Sequence, residues 1–238
     1  MCYTFFELLP GQRARKSTLA GVITKGGLMY LPPPNPRAIS FIDGQNLFRS
    51  VKDSFGYQFP NYDVLKLSSI ISKQNGWSHI ETHFYTGLPD PSDQRHIFWQ
   101  NKLASMGRQG IVLFTRPIRY HTKEITCSRG HTEKITIPAE KGVDVRIAID
   151  LIRLAFANRF DVAIIFSQDQ DLSEVSKEIR SISSAAKRWI KVVSAFPSSD
   201  ISPNKRGIDY TDWIKIERAL YDQCIDSNYY RSLIPPMP

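Results

Sequence analysis

A disulfide framework, a membrane span and a nucleotide-binding loop are all missing from this sequence, and each omission narrows the reading. Three cysteines, Cys2, Cys127 and Cys224, lie far apart and are odd in number. No disulfide scaffold follows, and a reducing cytoplasm fits best. No apolar stretch approaches the ~18 residues needed to cross a bilayer. The N-terminus MCYTFFELLPGQRARK places its charges after a short apolar patch, the reverse of a secretory signal. The expectation is a soluble cytoplasmic protein with no membrane partner. Neither G-x-G-x-x-G nor G-x-x-x-x-G-K-[ST] occurs, which argues against a dinucleotide or ATP.

Histidine is scarce as well, with five in all. Cys127 and His131, with His121 nearby, tempt a zinc reading, but no second Cys/His pair follows to complete four ligands. His79, His83 and His96 are scattered and read as packing or surface residues. Acidic charge is in deficit: Lys and Arg outnumber Asp and Glu by 31 to 23, a formal charge of +8. Such an excess favours a polyanionic partner such as nucleic acid. What the chain does have is core material, 42% apolar and 11% aromatic over 238 residues, enough for one globular domain with appendages.

Residues 1–36 show no sustained period and close in LPPPNP, a stiff linker signal, so they read as an appendage. From Arg37 the texture changes. AISFI, HIETHFYTGL, GIVLFTRPI, DVAIIFS and WIKVVSAF read as strands. NLFRSVKDSFG, YDVLKLSSIISKQNG, DQRHIFWQNKLASMG, KGVDVRIAIDLIRLAFAN and DLSEVSKEIRSISSAA read as helices. KEITCSRGHTEKITIP has the pattern of a polar hairpin turning at Arg129-Gly130, and YTDWIKIERALYDQCID that of a terminal helix. Apolar strands alternating with helices imply an α/β fold, a mainly parallel sheet covered on both faces.

In such sheets function gathers at the carboxyl ends of the strands. Asp43 follows SFI there, and Asp169 and Asp171 follow the strand in IIFSQDQDL. Each also precedes a helix, where aspartate is an ordinary cap. Three acids at two strand ends nevertheless repel one another unless a cation or proton joins them. On a helical projection of residues 141–158, Asp144 shares a face with Ile147, Ala148, Leu151 and Ala155, where an unpaired charge is costly to bury. Arg146, Asp150 and Arg153 fall on the opposite face, so Asp150 reads as one member of an ion-paired polar stripe. Four carboxylates without histidine or cysteine would form a hard, all-oxygen site suited to Mg²⁺ or Mn²⁺, and hence to phosphodiester hydrolysis.

FIDGQN (41–46), EKGVDVRIAIDL (140–151) and FSQDQDL (166–172), in this order, resemble the three signatures of NYN domains, the LabA-like branch of the PIN-like nucleases. YTDWIKIERALYDQC is similar to the closing helix of that branch, so the resemblance spans residues 37–226 and leaves 227–238 as a tail. It implies a Rossmann-like three-layer α/β/α fold and a metal-dependent ribonuclease site in which Asp43, Asp144, Asp169 and Asp171 hold Mg²⁺ or Mn²⁺. Asn46 would orient a phosphate or water in the same cleft. Ser167 would bond an acid or water beside it, and Lys141 would meet a phosphate. Gln168 stands where many members carry glycine, and it would be strained if that position needs positive φ.

The hairpin and its flanks carry Arg116, Arg119, Lys123, Arg129, Lys134 and Lys141, with Tyr120 among them. Charge mixed with an aromatic suits single-stranded RNA, although Glu124, Glu133 and Glu140 dilute it. Two alternatives stay open: a non-catalytic RNA-binding or regulatory NYN domain, and a small-molecule phosphohydrolase. The aspartyl-phosphate version of the latter wants an acid two residues after Asp43, where Gln45 stands. A protein partner or a homodimer is also left open.

Overall fold

The computed structural model describes residues 22–24, 27–126, 132–228 and 230. Near the N-terminus β1 (Val22–Thr24) and β2 (Gly27–Met29) pair antiparallel. The main body begins with β3 (Arg37–Asp43), α1 (Gly44–Phe55), α2 (Val64–Gln74) and β4 (Ser78–Leu88). It continues through α3 (Arg95–Arg108) and β5 (Val112–Pro117). An antiparallel pair, β6 (Arg119–Thr126) with β7 (Thr132–Ala139), is inserted next; its expected turn at Arg129-Gly130 lies outside the described residues. Then follow α4 (Val143–Phe156), β8 (Val162–Phe166), a short 3-10 turn (Gln170–Leu172), α5 (Ser173–Ala185) and β9 (Lys191–Pro197). The main body closes with β10 (Asp212–Ile216) and α6 (Arg218–Gln223).

Six strands make one sheet in the order β10-β9-β8-β3-β4-β5, with every neighbouring pair parallel. The burial pattern explains why. Along β3, Ala38 and Ile42 pack against α1, α2 and α3, while Ile39 and Phe41 pack against α4 and α5, and all four are fully buried. A strand apolar on both faces is stable only between two helical layers. The result is the Rossmann-like three-layer α/β/α architecture of PIN-like domains.

The order also fixes where a ligand can enter. From β3 the chain builds outward to β4 and β5, then crosses back to place β8 on the other side of β3. The crevice at the carboxyl ends of β3 and β8 is therefore the topological switch point of the sheet. Gly44 lets α1 start hard against the neighbouring strand, because a Cβ there would sit 2.6 Å from Phe84 Cζ and 3.0 Å from the Tyr85 carbonyl.

One expectation needs correction. The terminal segment is not one helix. Asp212–Ile216 forms a sixth strand along β9, with Lys191 ion-paired to Asp212, and only Arg218–Gln223 is helical. The open edge of β9 offered a full row of backbone partners, and that outweighed a weak helical period. Asp150 pairs with both arginines as expected, and the structure adds a third partner and burial. It is buried, salt-bridged to Arg146 at 2.8 Å and Arg153 at 3.3 Å, and it accepts the Tyr85 hydroxyl at 3.1 Å. Among the described residues no helix is long and apolar enough to cross a membrane.

Candidate active site

Asp43 is both the last residue of β3 and the cap of α1; its Oδ1 accepts the Asn46 backbone N–H at 3.0 Å. Asp169 does the same after β8, accepting the Asp171 N–H at 3.0 Å, while its own N–H donates to Ser167 Oγ at 3.1 Å. The capping role is thus real at both acids, and it points both carboxylates into the switch-point crevice. There they line a cavity of about 390 Å³ together with Asn46, Asp144, Lys141 and Glu140. Asp144 reaches it from the first turn of α4 and is half-buried.

Glu140 was read from the sequence only as a charge diluting the hairpin. Its Oε2 accepts the Gly87 N–H at 2.5 Å, at the end of β4. Gly87 is required for that approach, since a Cβ there would stand 2.5 Å from Glu140 Oε2 and 2.8 Å from Ile118 Cγ1. The EKGVD motif shows an acid at this position, but nothing local shows that it turns inward. Gly87→Ala is expected to push Glu140 out of place and lower stability by about 1–3 kcal/mol, measured as the urea midpoint, because overpacked sites relax only partly.

The acids feel one another. Burial, with Asp169 adding like charge, pushes the Asp43 carboxyl up to about 6, against the pull of the Asn46 and Gln45 N–H groups and Arg49. Burial likewise raises Glu140 to about 7, with Asp43 and Asp144 adding to the rise and the Gly87 N–H and Arg49 opposing it. Two carboxyls raised in one crevice, first by burial and partly by their neighbours, mark a candidate functional site.

The remaining site candidates divide. Asn46 lines the cavity, but its side-chain Oδ1 accepts the Gln168 N–H at 3.0 Å, tying α1 to the turn after β8. Ser167 is buried and braces the Asp169 turn. Asp171 is exposed in the 3-10 turn and does not line the cavity. Lys141 is exposed at the cavity rim, whereas Arg119 and Lys123 are exposed on β6 away from its lining. Arg129, Cys127 and His131 lie outside the described residues.

Gln168 carries no positive φ, so the strain expected of it does not arise. Its side chain is a clamp instead, accepting from Ser50 Oγ at 2.9 Å and donating to the Arg206 and Asn204 carbonyls at 2.8 and 3.2 Å.

An oxygen-only donor set of Asp43, Asp144, Asp169 and Glu140 suits Mg²⁺ or Mn²⁺ by chemistry. Among the described residues, however, no three acidic, histidine or cysteine side chains stand near enough to hold one ion in the positions seen. The donors fit in kind, and their side chains must swing inward to fit in spacing.

A parallel three-layer sheet with carboxylates at its switch point is consistent with the PIN-like class of nuclease-related proteins. Within that class the family model of the NYN domain matches residues 37–199, and the chain belongs to the NYN family. No curated protein matches it. Among solved structures it is similar to a protein of unknown function from Vibrio parahaemolyticus, at 16% identity and a TM-score of 0.47, over 79% of this chain and 97% of that one. It also matches a ribokinase from Giardia lamblia at 11% identity and TM-score 0.31, over 74% of this chain and 51% of that one. Acinetobacter baumannii MurG matches at 11% and 0.30, over 76% and 45%.

Proposed function

We propose that the chain is a Mg²⁺- or Mn²⁺-dependent endoribonuclease of the LabA-like branch that hydrolyses phosphodiester bonds in RNA. The observation carrying this reading is one cavity at the sheet's switch point that four carboxylates enter from β3, β8, α4 and the segment before α4. When bound, a divalent ion supplies Lewis-acid polarisation of the phosphoryl group and charge for the leaving oxygen. The chain's own part is to hold that charge and present the substrate. Asp43 and Asp169 are held by their capping bonds and Asn46 by the Gln168 N–H, which leaves Asp144 and Glu140 as the acids that would turn toward the ion. Lys141 at the rim is placed to meet a flanking phosphate. A cytoplasmic location is proposed on the sequence alone.

The test uses labelled single-stranded RNA with Mn²⁺, with Mg²⁺ and with chelator, beside Asp169→Asn. Metal-dependent cleavage that disappears in the variant is the expected result. A second reading, an RNA-binding regulatory domain, draws on the acid spacing, since no three ligands are gathered and Asp171 lies outside the cavity. Binding without cleavage in any metal would favour it. Turnover of mononucleotides with RNA untouched would favour a phosphohydrolase.

A further inference from the structure

A groove of about 1020 Å³ opens beside the acid cavity and shares Gln45, Arg49 and Glu140 with it. Its walls come from α1, the first turns of α3, the end of β4 and the loop at Gln58 and Pro60. Apolar side chains stay open to solvent in it: Ile97 is 47% exposed, and Phe48 and Ile118 are half-buried. The described residues end at the edge of this groove. Tyr230 stands edge-on to Phe98, a wall residue, with ring centroids 6.0 Å apart. Its carbonyl accepts from Asn101 Nδ2 at 3.2 Å, one turn along α3 from Ile97. Its hydroxyl bonds Ser105 Oγ at 3.3 Å, one turn the other way. The main chain at Tyr230 is therefore on the groove side of its own ring.

Residues 231–238 read RSLIPPMP. Eight residues reach at most about 26–29 Å when extended. The stretch of α3 from Asn101 back to Arg95 measures only about 9 Å, so the segment is long enough to cross the groove. Leu233, Ile234 and Met237 match the apolar walls, and the segment holds no acid. Three of its residues, Pro235, Pro236 and Pro238, have φ fixed by their rings, which lowers the entropy lost on docking. Proline-rich segments of this kind dock in aromatic-lined grooves.

We infer that residues 231–238 seat in this groove as a strap, their apolar side chains covering Ile97, Phe48 and Ile118. A strap there lies against Gln45, Arg49 and Glu140 and narrows the approach to the acid cavity. That obstruction rests on the hydrolytic reading, but the docking does not.

The experiment is photo-cross-linking of the full chain carrying benzoylphenylalanine in place of Ile234, at low protein concentration and in chelator, with the joined peptides mapped by mass spectrometry. The expected product is a monomer-sized species joined to α1 or to the first turns of α3. Ile97→Asp is expected to remove most of it, and because Ile97 is exposed the fold should survive, which circular dichroism and thermal melting check. Leu233→Asp repeats the test without touching the groove. Products joined elsewhere, products formed only between two molecules, or a yield indifferent to both substitutions overturn the inference.

Hydrolysis with Mn²⁺ reads the obstruction separately. Leu233→Asp with Ile234→Asp is expected to lower KM for RNA severalfold and to leave turnover of bis(p-nitrophenyl) phosphate, too small to need the groove, unchanged. An unchanged KM for RNA overturns the obstruction. If neither ester is hydrolysed while the tail cross-links to the groove, the hydrolytic reading falls and the strap stands. If both are hydrolysed while the cross-links lie elsewhere, the strap falls and the hydrolytic reading stands.

Discussion

Asp43→Asn is expected to abolish metal-dependent RNA cleavage and at the same time to make the protein more stable. If the proposed metal site is right, removing one of its carboxylates forfeits several kcal/mol of transition-state stabilisation, a loss of roughly a thousandfold or more. Stability moves the other way because Asn caps a helix as well as Asp does, so the bond from Asn46 survives. A carboxyl whose ordinary value of 3.8 rises to about 6 on folding costs the folded state about 3 kcal/mol once ionised. Since folding raises this pKa, the cost is fully present above about pH 6, shrinks as the pH falls, and is gone below about pH 4. The variant should therefore melt several degrees above the parent at pH 7.5, with the gap closing under acid. A gap that widens under acid, or a variant that melts lower at pH 7.5, would show that Asp43 is kept for the fold and not for the site.

Lys102→Ala should be among the most damaging single changes for stability. Lys102 is fully buried in α3; its ammonium donates to the Tyr62 carbonyl at 2.9 Å and to Asp226 Oδ2 at 3.1 Å, and it stands over the rings of Tyr62 and Tyr230. Burial lowers the lysine's pKa against the pull of Asp226. Burial alone would raise Asp226, but the Asn228 N–H, Lys102 and the Tyr230 hydroxyl together hold it below its ordinary value, so the pair is charged.

Truncating the lysine leaves that carboxylate without its counter-charge and removes the tie of Asp226 and the Tyr230 ring to α3. The expected cost is about 3–5 kcal/mol, or a fall in Tm of roughly 10 °C for a chain of this size. Lys102→Met combined with Asp226→Asn should recover most of it, because apolar packing in place of a buried ion pair is often neutral. A double variant no better than Lys102→Ala would mean that the loss came from the ammonium's bond to the Tyr62 carbonyl and not from the uncompensated carboxylate.

The parts of this molecule that were legible in its sequence are those whose cause is local. Asp43 announces itself because a carboxylate interrupts a buried strand at the point where a helix must be capped. Asp169 does so for the same reason, and the parallel sheet follows from strands such as AISFI and DVAIIFS that have no polar face. What was not legible depends on partners far along the chain. Glu140 becomes part of the site through Gly87, a residue that by itself reads only as an interruption in a strand. Asp150 is pulled inward by Tyr85 from β4, which no helical projection of α4 contains. Gln168 escapes strain because its φ is not positive, and its amide is taken up by Ser50 and the Arg206 carbonyl from distant parts of the chain. β10 forms because β9 had an edge to fill, a property of the assembled sheet and not of the segment itself.

On the proposed reading the carboxylates, raised first by burial and then by one another, would close on a divalent ion. The most direct measurement is anomalous diffraction at the manganese edge from crystals of the full chain grown with Mn²⁺. The expected result is a single strong peak inside the switch-point cavity, within coordination distance of Asp43 and Asp169 and of at least one of Asp144 and Glu140, whose side chains have rotated inward. A cavity without a peak, or manganese bound only elsewhere, would contradict the metal-centred site and leave only the NYN fold.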